Sequence, residues 1–328
     1  MRPGDPTAGL PADEPLVGVW RGAIVESVHR GRLAVCDPSG KLLDAVGDPH
    51  GYVYARSSVK PLQALPLVLT GAADDLGLTD EELAVACASH SAEGPHLAAV
   101  RSILDKAGLS ERDLQSGAHP PLYGPAAAEL ARRGREPGAI HCNCSGKHAG
   151  MLAVCVHEGW PTACYRSLHH PLQRRVLEIV ARVCALDGDD LLVGVDGCGV
   201  PAFAMPLANL ATGFARLASG EYLPEAAGRL RRAMRDHPHL VAGTGRFDTA
   251  VMRGTRLLAK SGAEGVFAAG SPDGWGLALK ISDGAGRAVR PAALAALARR
   301  GASAPDEPEP PAVLNLHGAT VGAVVPLF

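Results

Sequence analysis

Lysine is rare in this chain, and its few positions draw attention to residues that could do acid–base chemistry. The sequence contains six lysines against 26 arginines. Unlike a guanidinium, a lysine amine can lose its proton, act as a base or bind a metal. Lys41 and Lys106 lie beside a turn and a helix end, whereas the other four lie in motifs rich in Gly, Ser or Cys. Those motifs are the first candidates for catalysis.

Residues 57–60 read Ser-Ser-Val-Lys, an S-x-x-K motif. On a helix, positions i and i+3 share a face, so the Lys60 amine can reach the Ser57 hydroxyl. Pro61 is tolerated only near the first turn of a helix, which predicts that Ser57 lies at a helix start. A neutral Lys60 could then accept the proton as Ser57 attacks an amide. Alone, the motif is also typical of a capped helix with a surface lysine.

Two further motifs follow in the order found in penicillin-binding proteins and serine β-lactamases. Those enzymes combine S-x-x-K with a second serine motif and with K-[ST]-G beside a strand. Here Ser89 opens Ser-His-Ser and Lys260 opens Lys-Ser-Gly. The three motifs together favour a serine amidohydrolase over an exposed lysine at a strand end.

Two short segments carry the densest set of possible metal ligands. Residues 141–148 read HCNCSGKH and residues 195–199 read VDGCG. Zinc takes Cys, His or carboxylate ligands in a tetrahedral array. The residue types nominate Cys144, Cys198 and either His148 or His141 as zinc ligands. The competing interpretation is a thiol-lined turn without metal, and the C-x-C spacing differs from the C-x-x-C of thioredoxin-like redox motifs.

Alternating and helical hydrophobic patterns predict the elements that must position these motifs. We expect a β-meander over residues 17–47 with turns at Arg30-Gly31 and Ser39-Gly40. Helices are predicted from about Ser58 and after a capping box at Thr79-x-x-Glu82. Later strands are predicted at 191–196 (buried), 275–281 and about 320–326. Strands at both ends with helices between them predict a mixed α/β fold, with a sheet built from N- and C-terminal strands around a helical region.

The length of 328 residues allows one or two domains. We predict a flexible N-terminal segment over residues 1–15 and a single domain over residues 16–328. Within that domain, a Pro/Glu-rich segment near residues 302–312 is predicted to be mobile.

Charge and hydropathy exclude several classes of partner. The formal net charge of −2 gives no electrostatic reason to bind nucleic acid or an anionic membrane. No stretch approaches the roughly 20 apolar residues that cross a bilayer, and the first residues do not resemble a signal peptide. These features predict a cytoplasmic protein whose eight cysteines are mostly reduced.

Six ordered motifs resemble those of the L-asparaginase II family, the rhizobial type also called class 3. They are ARSSVKPLQA, CASHSAE, NCSGKHAGM, VDGCGVP, GRFDT and LAKSGAEG, within about residues 17–285. The resemblance implies hydrolysis of L-asparagine to L-aspartate and ammonia by a homodimer. It also implies one zinc per chain and a fold like that of serine β-lactamases and glutaminases.

The resemblance carries roles to individual positions. Catalytic roles are implied for two Ser–Lys pairs, which are Ser57 with Lys60 and Ser89 with Lys260. Zinc binding is implied for Cys144, Lys147 and Cys198, so a lysine stands where the residue types nominated a histidine. Substrate binding or its support is implied for Arg56, His148 and Asp196. Some members carry Cys in the motif that reads GRFDT here, so any substrate contact from Asp248 must come from its carboxylate.

The leading hypothesis makes Ser57 the nucleophile and Lys60 its base, while Ser89 and Lys260 relay protons to the leaving ammonia. Asp196 would pair with the substrate's α-ammonium and Arg56 with its α-carboxylate. A glutaminase, or another serine amidase of the β-lactamase-like class, would use the same residues. A non-enzymatic zinc- or redox-sensing protein would use the thiols and leave both Ser–Lys pairs without a purpose.

Overall fold

The computed structural model describes residues 13–302 and 312–328. Most of the N-terminal segment predicted to be flexible lies outside these residues, and the first strand begins already at Glu14. The segment predicted to be mobile near 302–312 lies outside them except for its two end residues.

The described strands form two antiparallel sheets. They are β1 (Glu14–Arg21), β2 (Ile24–Cys36), β3 (Leu42–Val46), β4 (Tyr52–Tyr54), β5 (Leu192–Val195), β6 (Pro201–Pro206), β7 (Leu258–Gly262), β8 (Val266–Ser271), β9 (Trp275–Ile281), β10 (Ala312–Leu314) and β11 (Thr320–Pro326). The large sheet has the order β10-β11-β1-β2-β9-β8-β7, with β3 paired to β2. The small sheet has the order β4-β6-β5.

The described α-helices lie mostly between the N-terminal and C-terminal strands. They are α1 (Lys60–Leu69), α2 (Ala72–Asp75), α3 (Asp80–Ala86), α4 (Gly94–Lys106), α5 (Gly124–Arg132), α6 (Ser145–His157), α7 (Pro171–Val183), α8 (Leu207–Ser219), α9 (Pro224–Asp236), α10 (Pro238–Val241), α11 (Phe247–Gly254) and α12 (Gly286–Arg299). A 3₁₀ helix, Arg56–Val59, leads directly into α1. No helix among these combines the length and the apolar character that a membrane span requires.

The two ends of the chain meet in the large sheet. Strand β1 pairs with β11 so that Val17 faces Pro326, and β2 pairs with β9 so that Leu33 faces Leu279. Helix α8 covers β8 and β9 at very short range, because a Cβ added to Gly276 would lie 2.0 Å from the Ala211 carbonyl oxygen. The predicted mixed α/β fold, with a sheet from N- and C-terminal strands and a helical region between them, is confirmed.

The predicted turn at Arg30-Gly31 is wrong. Strand β2 continues through both residues, and the chain reverses instead at Gly22, whose φ is +56°. Gly31 has another reason to be glycine, since its missing Cβ would lie 2.1 Å from the Lys280 carbonyl oxygen on the paired strand. A glycine that permits close strand approach and a glycine that permits a turn look alike in sequence.

Of the other local predictions, one turn and one capping box are confirmed, and one strand is confirmed while its burial is not. The turn at Gly40 is confirmed by a positive φ of 93°, and the Thr79–Glu82 capping box is present. The strand predicted over 191–196 exists as β5, but its predicted burial is wrong, since Leu192 is 52% exposed and Val195 82% exposed. The small sheet leaves β5 at its edge, so the run of apolar residues does not mark a core strand.

Close packing of α6 against α3 sets the position of the motif at residues 141–148. A Cβ added to Gly146 would lie 2.1 Å from the Val85 carbonyl oxygen. Only a glycine lets the two helix backbones approach this far. Since α6 begins just after Cys144 and α3 ends just before Ser89, this contact brings two of the chemical motifs together.

We expect Gly146→Ala to lower the free energy of unfolding by about 1–3 kcal/mol, because the new methyl group must push α6 off α3. An unhindered Gly→Ala change in a helix instead stabilises by up to about 1 kcal/mol. Gly124→Ala in α5 is the matched control, since nothing lies within 4 Å of its added Cβ. Urea unfolding of both variants measures the difference. Equal stability of the two would contradict the close contact.

Candidate active site

Two buried lysines converge on the hydroxyl of Ser89. The Nζ of Lys60 lies 3.0 Å from Ser89 Oγ, and the Nζ of Lys260 lies 2.8 Å from the same oxygen. Both lysines have no exposed surface, and Ser89 is 4% exposed. Three motifs that are far apart in sequence therefore meet at one oxygen atom.

Lys60 is the first residue of α1, and its amine is held by backbone as well as by Ser89. It donates to the Ala88 carbonyl oxygen at 2.8 Å and lies 3.4 Å from that of Asn143. Ser57 lies three residues earlier, half-buried in the 3₁₀ helix. Across the described ranges, no side-chain hydrogen bond joins Ser57 to Lys60. The structure thus brings Lys60 to the second serine motif, with Ser57 on the preceding turn.

Lys260 lies on β7, and this strand contains the whole Lys-Ser-Gly motif. Burial lowers the pKa of Lys260 to about 8, the nearby Asp248 carboxylate opposes this shift, and the Lys60 ammonium adds to it. A lysine with such a pKa can exist in both charge states near neutral pH. Asp248 is itself 1% exposed, and its oxygens accept hydrogen bonds from the Ser261 amide and hydroxyl.

An ion pair adjoins Ser57. The Nε of Arg56 donates to Asp196 Oδ1 at 3.0 Å, with 27% of the arginine side chain and 12% of the aspartate side chain exposed. Arg56 has a φ of +50°, a conformation that costs energy for a residue with a side chain and that clusters at functional sites. Asp196 directly follows β5 and also accepts from the Gly197 amide at 2.8 Å.

The three residues that the family resemblance nominates as zinc ligands lie near one another. Lys147 Nζ lies 3.1 Å from Cys198 Sγ, and all three of Cys144, Lys147 and Cys198 are buried. Hydrogen bonds from the thiols of Cys142 and Cys198 hold the pKa of Cys144 well below its usual value, and the Lys60 and Lys147 ammonium groups add to this. Burial alone would lower the pKa of Lys147, but the sulfur atoms of Cys144 and Cys198 raise it overall.

The two candidate histidines have different surroundings. His148 is fully buried, its Nδ1 lies 2.7 Å from the Tyr165 hydroxyl, and its Nε2 has no partner within the described residues. Burial and then the Lys147 charge hold the pKa of His148 well below its usual value, so the ring is neutral. His141 accepts from the Gly138 amide and lines a surface cavity of about 360 Å³ instead.

A row of histidines beside Ser89 was not predicted from sequence. The rings of His90, His96 and His239 stack at centroid distances of 5.3 and 5.0 Å. Ligand atoms of Glu93, His96 and His239 lie within 4.8 Å of one another, so this group could hold a metal ion. His96 Nδ1 already accepts from the Glu93 amide, and its Nε2 lies 2.8 Å from the His239 carbonyl oxygen. A metal would have to displace one of these contacts. Of the three histidines, His90 alone lies in a motif singled out from the sequence, Ser-His-Ser, and no sequence signal points to His96 or His239.

The family assignment follows from a match that extends over nearly the whole chain. A family model described as L-asparaginase II matches residues 17–326. The chain belongs to the L-asparaginase II family. A search of curated proteins gives no match.

Solved structures with some similarity include three kinds of protein. Mglu in its L-glutamate-binding form has 16% identity and a TM-score of 0.49, covering 85% of this chain and 61% of Mglu. A β-lactamase from Mycobacterium bovis has 17% identity and a TM-score of 0.38, covering 82% of this chain and 94% of that one. A mutant simvastatin synthase from Aspergillus terreus has 12% identity and a TM-score of 0.41, covering 77% of this chain and 86% of that one.

The asparaginase II chain spans less than two thirds of the length of Mglu in these alignments, 61–66%. Similarities at these TM-scores carry no information on substrate.

Proposed function

We propose that this protein hydrolyses the side-chain amide of L-asparagine to L-aspartate and ammonia through an acyl-serine intermediate. The observation that supports it most is the convergence of Lys60 and Lys260 on Ser89 Oγ. Two buried amines around one hydroxyl are costly to the fold and are suited to moving protons. Family membership supplies the substrate class.

Ser57 is assigned the attacking role. It is half-buried and adjoins the partly exposed Arg56, whereas Ser89 is buried and already bound by two lysines. Ser57 also precedes α1, where the positive end of a helix dipole favours a developing alkoxide. The Ser57 oxygen forms a bond to the amide carbon as its proton passes to a neutral Lys60. An ammonium ion cannot accept that proton, so the step starts from the deprotonated Lys60 amine, whereas the resting site, in which Lys60 lowers the pKa of Lys260, holds it as the ammonium.

Ser89 and Lys260 complete the proton path. The proton held by Lys60 passes to the Ser89 oxygen as the Ser89 proton passes to the departing nitrogen, which leaves as ammonia. The cationic form of Lys260 donates to Ser89 Oγ and so stabilises negative charge there during transfer. Water then attacks the acyl carbon, which releases aspartate and returns the proton to Ser57.

Arg56 and Asp196 are proposed to hold the two charges of the substrate backbone. They pair at 3.0 Å with both side chains partly exposed. A free α-amino acid carries an ammonium and a carboxylate, which can replace each partner of this pair with a group of the same charge. An amide within a peptide lacks these charges, so the pair favours free amino acids.

We also propose a zinc ion at Cys144, Lys147 and Cys198. Thiolates and a neutral amine are donors that suit zinc. The Lys147–Cys198 distance of 3.1 Å, the low pKa of Cys144 and the unpartnered Nε2 of buried His148 fit a site that receives a cation. Because the pKa of Lys147 is raised, zinc would have to displace the proton of that amine when it binds. When bound, zinc would supply a Lewis acid.

A glutaminase and a general serine amidase are the two alternatives that would use the same catalytic residues. A glutaminase would need only one more methylene in the pocket, a difference worth about 1–3 kcal/mol. Ammonia release from asparagine, glutamine and a β-lactam separates asparaginase, glutaminase and general amidase. The homodimer and the cytoplasmic location stay predictions. A zinc- or redox-sensing protein would release no ammonia at all.

Replacing Lys60 by Arg should abolish turnover of asparagine while the protein still folds. The guanidinium keeps the charge but cannot accept a proton, so we expect a loss on the order of 10³-fold. Ser57→Ala should lose at least as much. Ammonia release measures both, and Lys41→Arg at an exposed turn is the control. Near-normal turnover in Lys60→Arg, or an acyl adduct found by mass spectrometry on Ser89 instead of Ser57, would contradict the assignment.

Asp196→Asn should lower kcat/KM for asparagine by roughly 10- to 100-fold, since a charge-assisted hydrogen bond worth about 1.5–3 kcal/mol is lost. The melting temperature should change little, because Asn can still cap the turn at Gly197. Asp189→Asn at an exposed position nearby is the matched control. Unaltered kinetics with a lowered melting temperature would show that Asp196 only caps the turn.

Purified protein should hold about one zinc per chain, and Cys198→Ala should lose most of it because two protein donors are too few. Elemental analysis after gel filtration measures the content. Cys164→Ala, which removes an exposed thiol, should keep the metal. Full zinc occupancy in the Cys198 variant would place the site elsewhere, with the Glu93, His96 and His239 group as the next candidate.

A further inference from the structure

Both carboxylate oxygens of Asp248 are buried and accept hydrogen bonds from protein groups. Its carboxylate is 1% exposed, Oδ2 accepts from the Ser261 amide at 2.9 Å, and Oδ1 accepts from the Ser261 hydroxyl. The same Oδ2 lies 3.6 Å from Lys260 Nζ. Among the described residues, the polar contacts of this side chain are to two consecutive residues of β7.

The place of β7 in the sheet explains why such a contact matters. Strand β7 is the last strand on its side of the large sheet and pairs only with β8, with Ser261 opposite Phe267. The outer edge of such a strand has unpaired amides. Asp248, from the first turn of α11, accepts the Ser261 amide on that edge. Lys260 is thus attached to α11 on one side and to β8 on the other.

We propose that Asp248 is a positioning residue that directs the Lys260 amine at Ser89 and keeps it charged, rather than a substrate ligand. This inference rests on the proposed function for the role of Lys260 in proton transfer. One carboxylate fixes the strand through Ser261 and attracts the ammonium group electrostatically. It leaves Lys260 Nζ directed at Ser89 Oγ, 2.8 Å away.

The charges around Lys260 give the direction of the effect. Burial, Lys60 and Arg246 lower its pKa, while Asp248 and Cys144 raise it. The Cys87 thiol is also close enough to interact with Lys260 electrostatically, and burial raises the pKa of that thiol to about 12, so it is neutral. Asp248 is the stronger of the two groups that keep Lys260 protonated. Removing its charge should therefore lower the pKa of Lys260 below its value of about 8.

The test compares Asp248→Asn with the parent enzyme over a range of pH. The amide keeps the shape of the carboxylate and can still accept from the Ser261 amide. We expect kcat to fall roughly 10- to 100-fold, the size of effect that misplacement of a catalytic group has. KM for asparagine should change by less than about twofold, since no substrate contact is lost. The alkaline limb of the kcat profile should move to lower pH, because Lys260 loses its proton sooner.

Two controls separate charge from hydrogen bonding. Ser261→Ala keeps the carboxylate and removes one hydrogen bond, so it should leave the alkaline limb in place. Asp273→Asn removes a carboxylate that is 65% exposed on the β8–β9 turn, and it should change nothing. A large rise in KM with unchanged kcat in Asp248→Asn would instead assign Asp248 to the substrate and overturn the proposal.

A readout without turnover keeps this inference distinct from the proposed function. With six lysines in the chain, NMR of protein labelled at lysine Cε can follow each titration, and Lys260→Arg identifies the Lys260 signal. The midpoint should lie near pH 8 in the parent protein and lower in Asp248→Asn. An unshifted midpoint would refute the link even in an active asparaginase. A shifted midpoint in a protein that releases no ammonia would uphold the link and refute the proposed function.

Discussion

Two lysine side chains share one buried hydroxyl oxygen, and the remaining structure has to make that arrangement stable. Burying an unpaired ammonium costs several kcal/mol, and like charges placed together add to the cost. Compensation comes from the Asp248 carboxylate beside Lys260 and from the Ala88 carbonyl oxygen that accepts from Lys60. Neighbouring thiols and lysine charge also lower the pKa of Cys144, so negative charge is favoured on that sulfur. The groups that offset the two lysine charges therefore matter to the site as well as the lysines themselves.

The fold must bring four separate segments of the chain together to form this cluster. Lys60 begins α1, Ser89 follows α3, Cys144 precedes α6 and Lys260 lies on β7, so four segments must meet. The sheet built from both ends of the chain brings β7 into place through β2, β9 and β8. Glycines allow the close approaches, since a side chain at Gly146 would meet the α3 backbone and one at Gly262 would lie 2.8 Å from the Ala55 carbonyl oxygen. Gly262 is the third residue of the Lys-Ser-Gly motif. A glycine is needed at this position because the strand packs closely against the backbone next to the 3₁₀ helix.

Sequence reasoning predicts the fold class and the membership of the site better than its contacts. The hydrophobic patterns predict helices and the closing strand, because those signals are local, and the presence of strands at both ends of the chain predicts the shared sheet. The hydrogen-bond partner of Lys60 cannot be predicted from local spacing. Helical spacing favours Ser57, whereas the Lys60 amine donates to Ser89, which follows a separate helix, α3. Gly31 misled the turn prediction because its constraint comes from a strand some 250 residues away. The stacked histidines and the Asp248–Ser261 contact depend on tertiary approach in the same way.

Arg56 directly precedes the S-x-x-K motif and Ser57 is its first residue. In the proposed function one binds the substrate and the other attacks it, and both depend on the same stretch of backbone. Arg56 has a positive φ and Ser57 follows it within one short 3₁₀ helix, so the orientation of the guanidinium and that of the hydroxyl are set by the same turn. Asp196, which directly follows β5, holds the Arg56 side chain in an ion pair. Under the proposed function, a substrate carboxylate takes the place of Asp196, so the arginine keeps an anionic partner and the turn need not relax. Under the same proposal, recognition of the amino-acid backbone and placement of the attacking oxygen become one structural event, which confines the reaction to an amide at a fixed distance from the α-carbon.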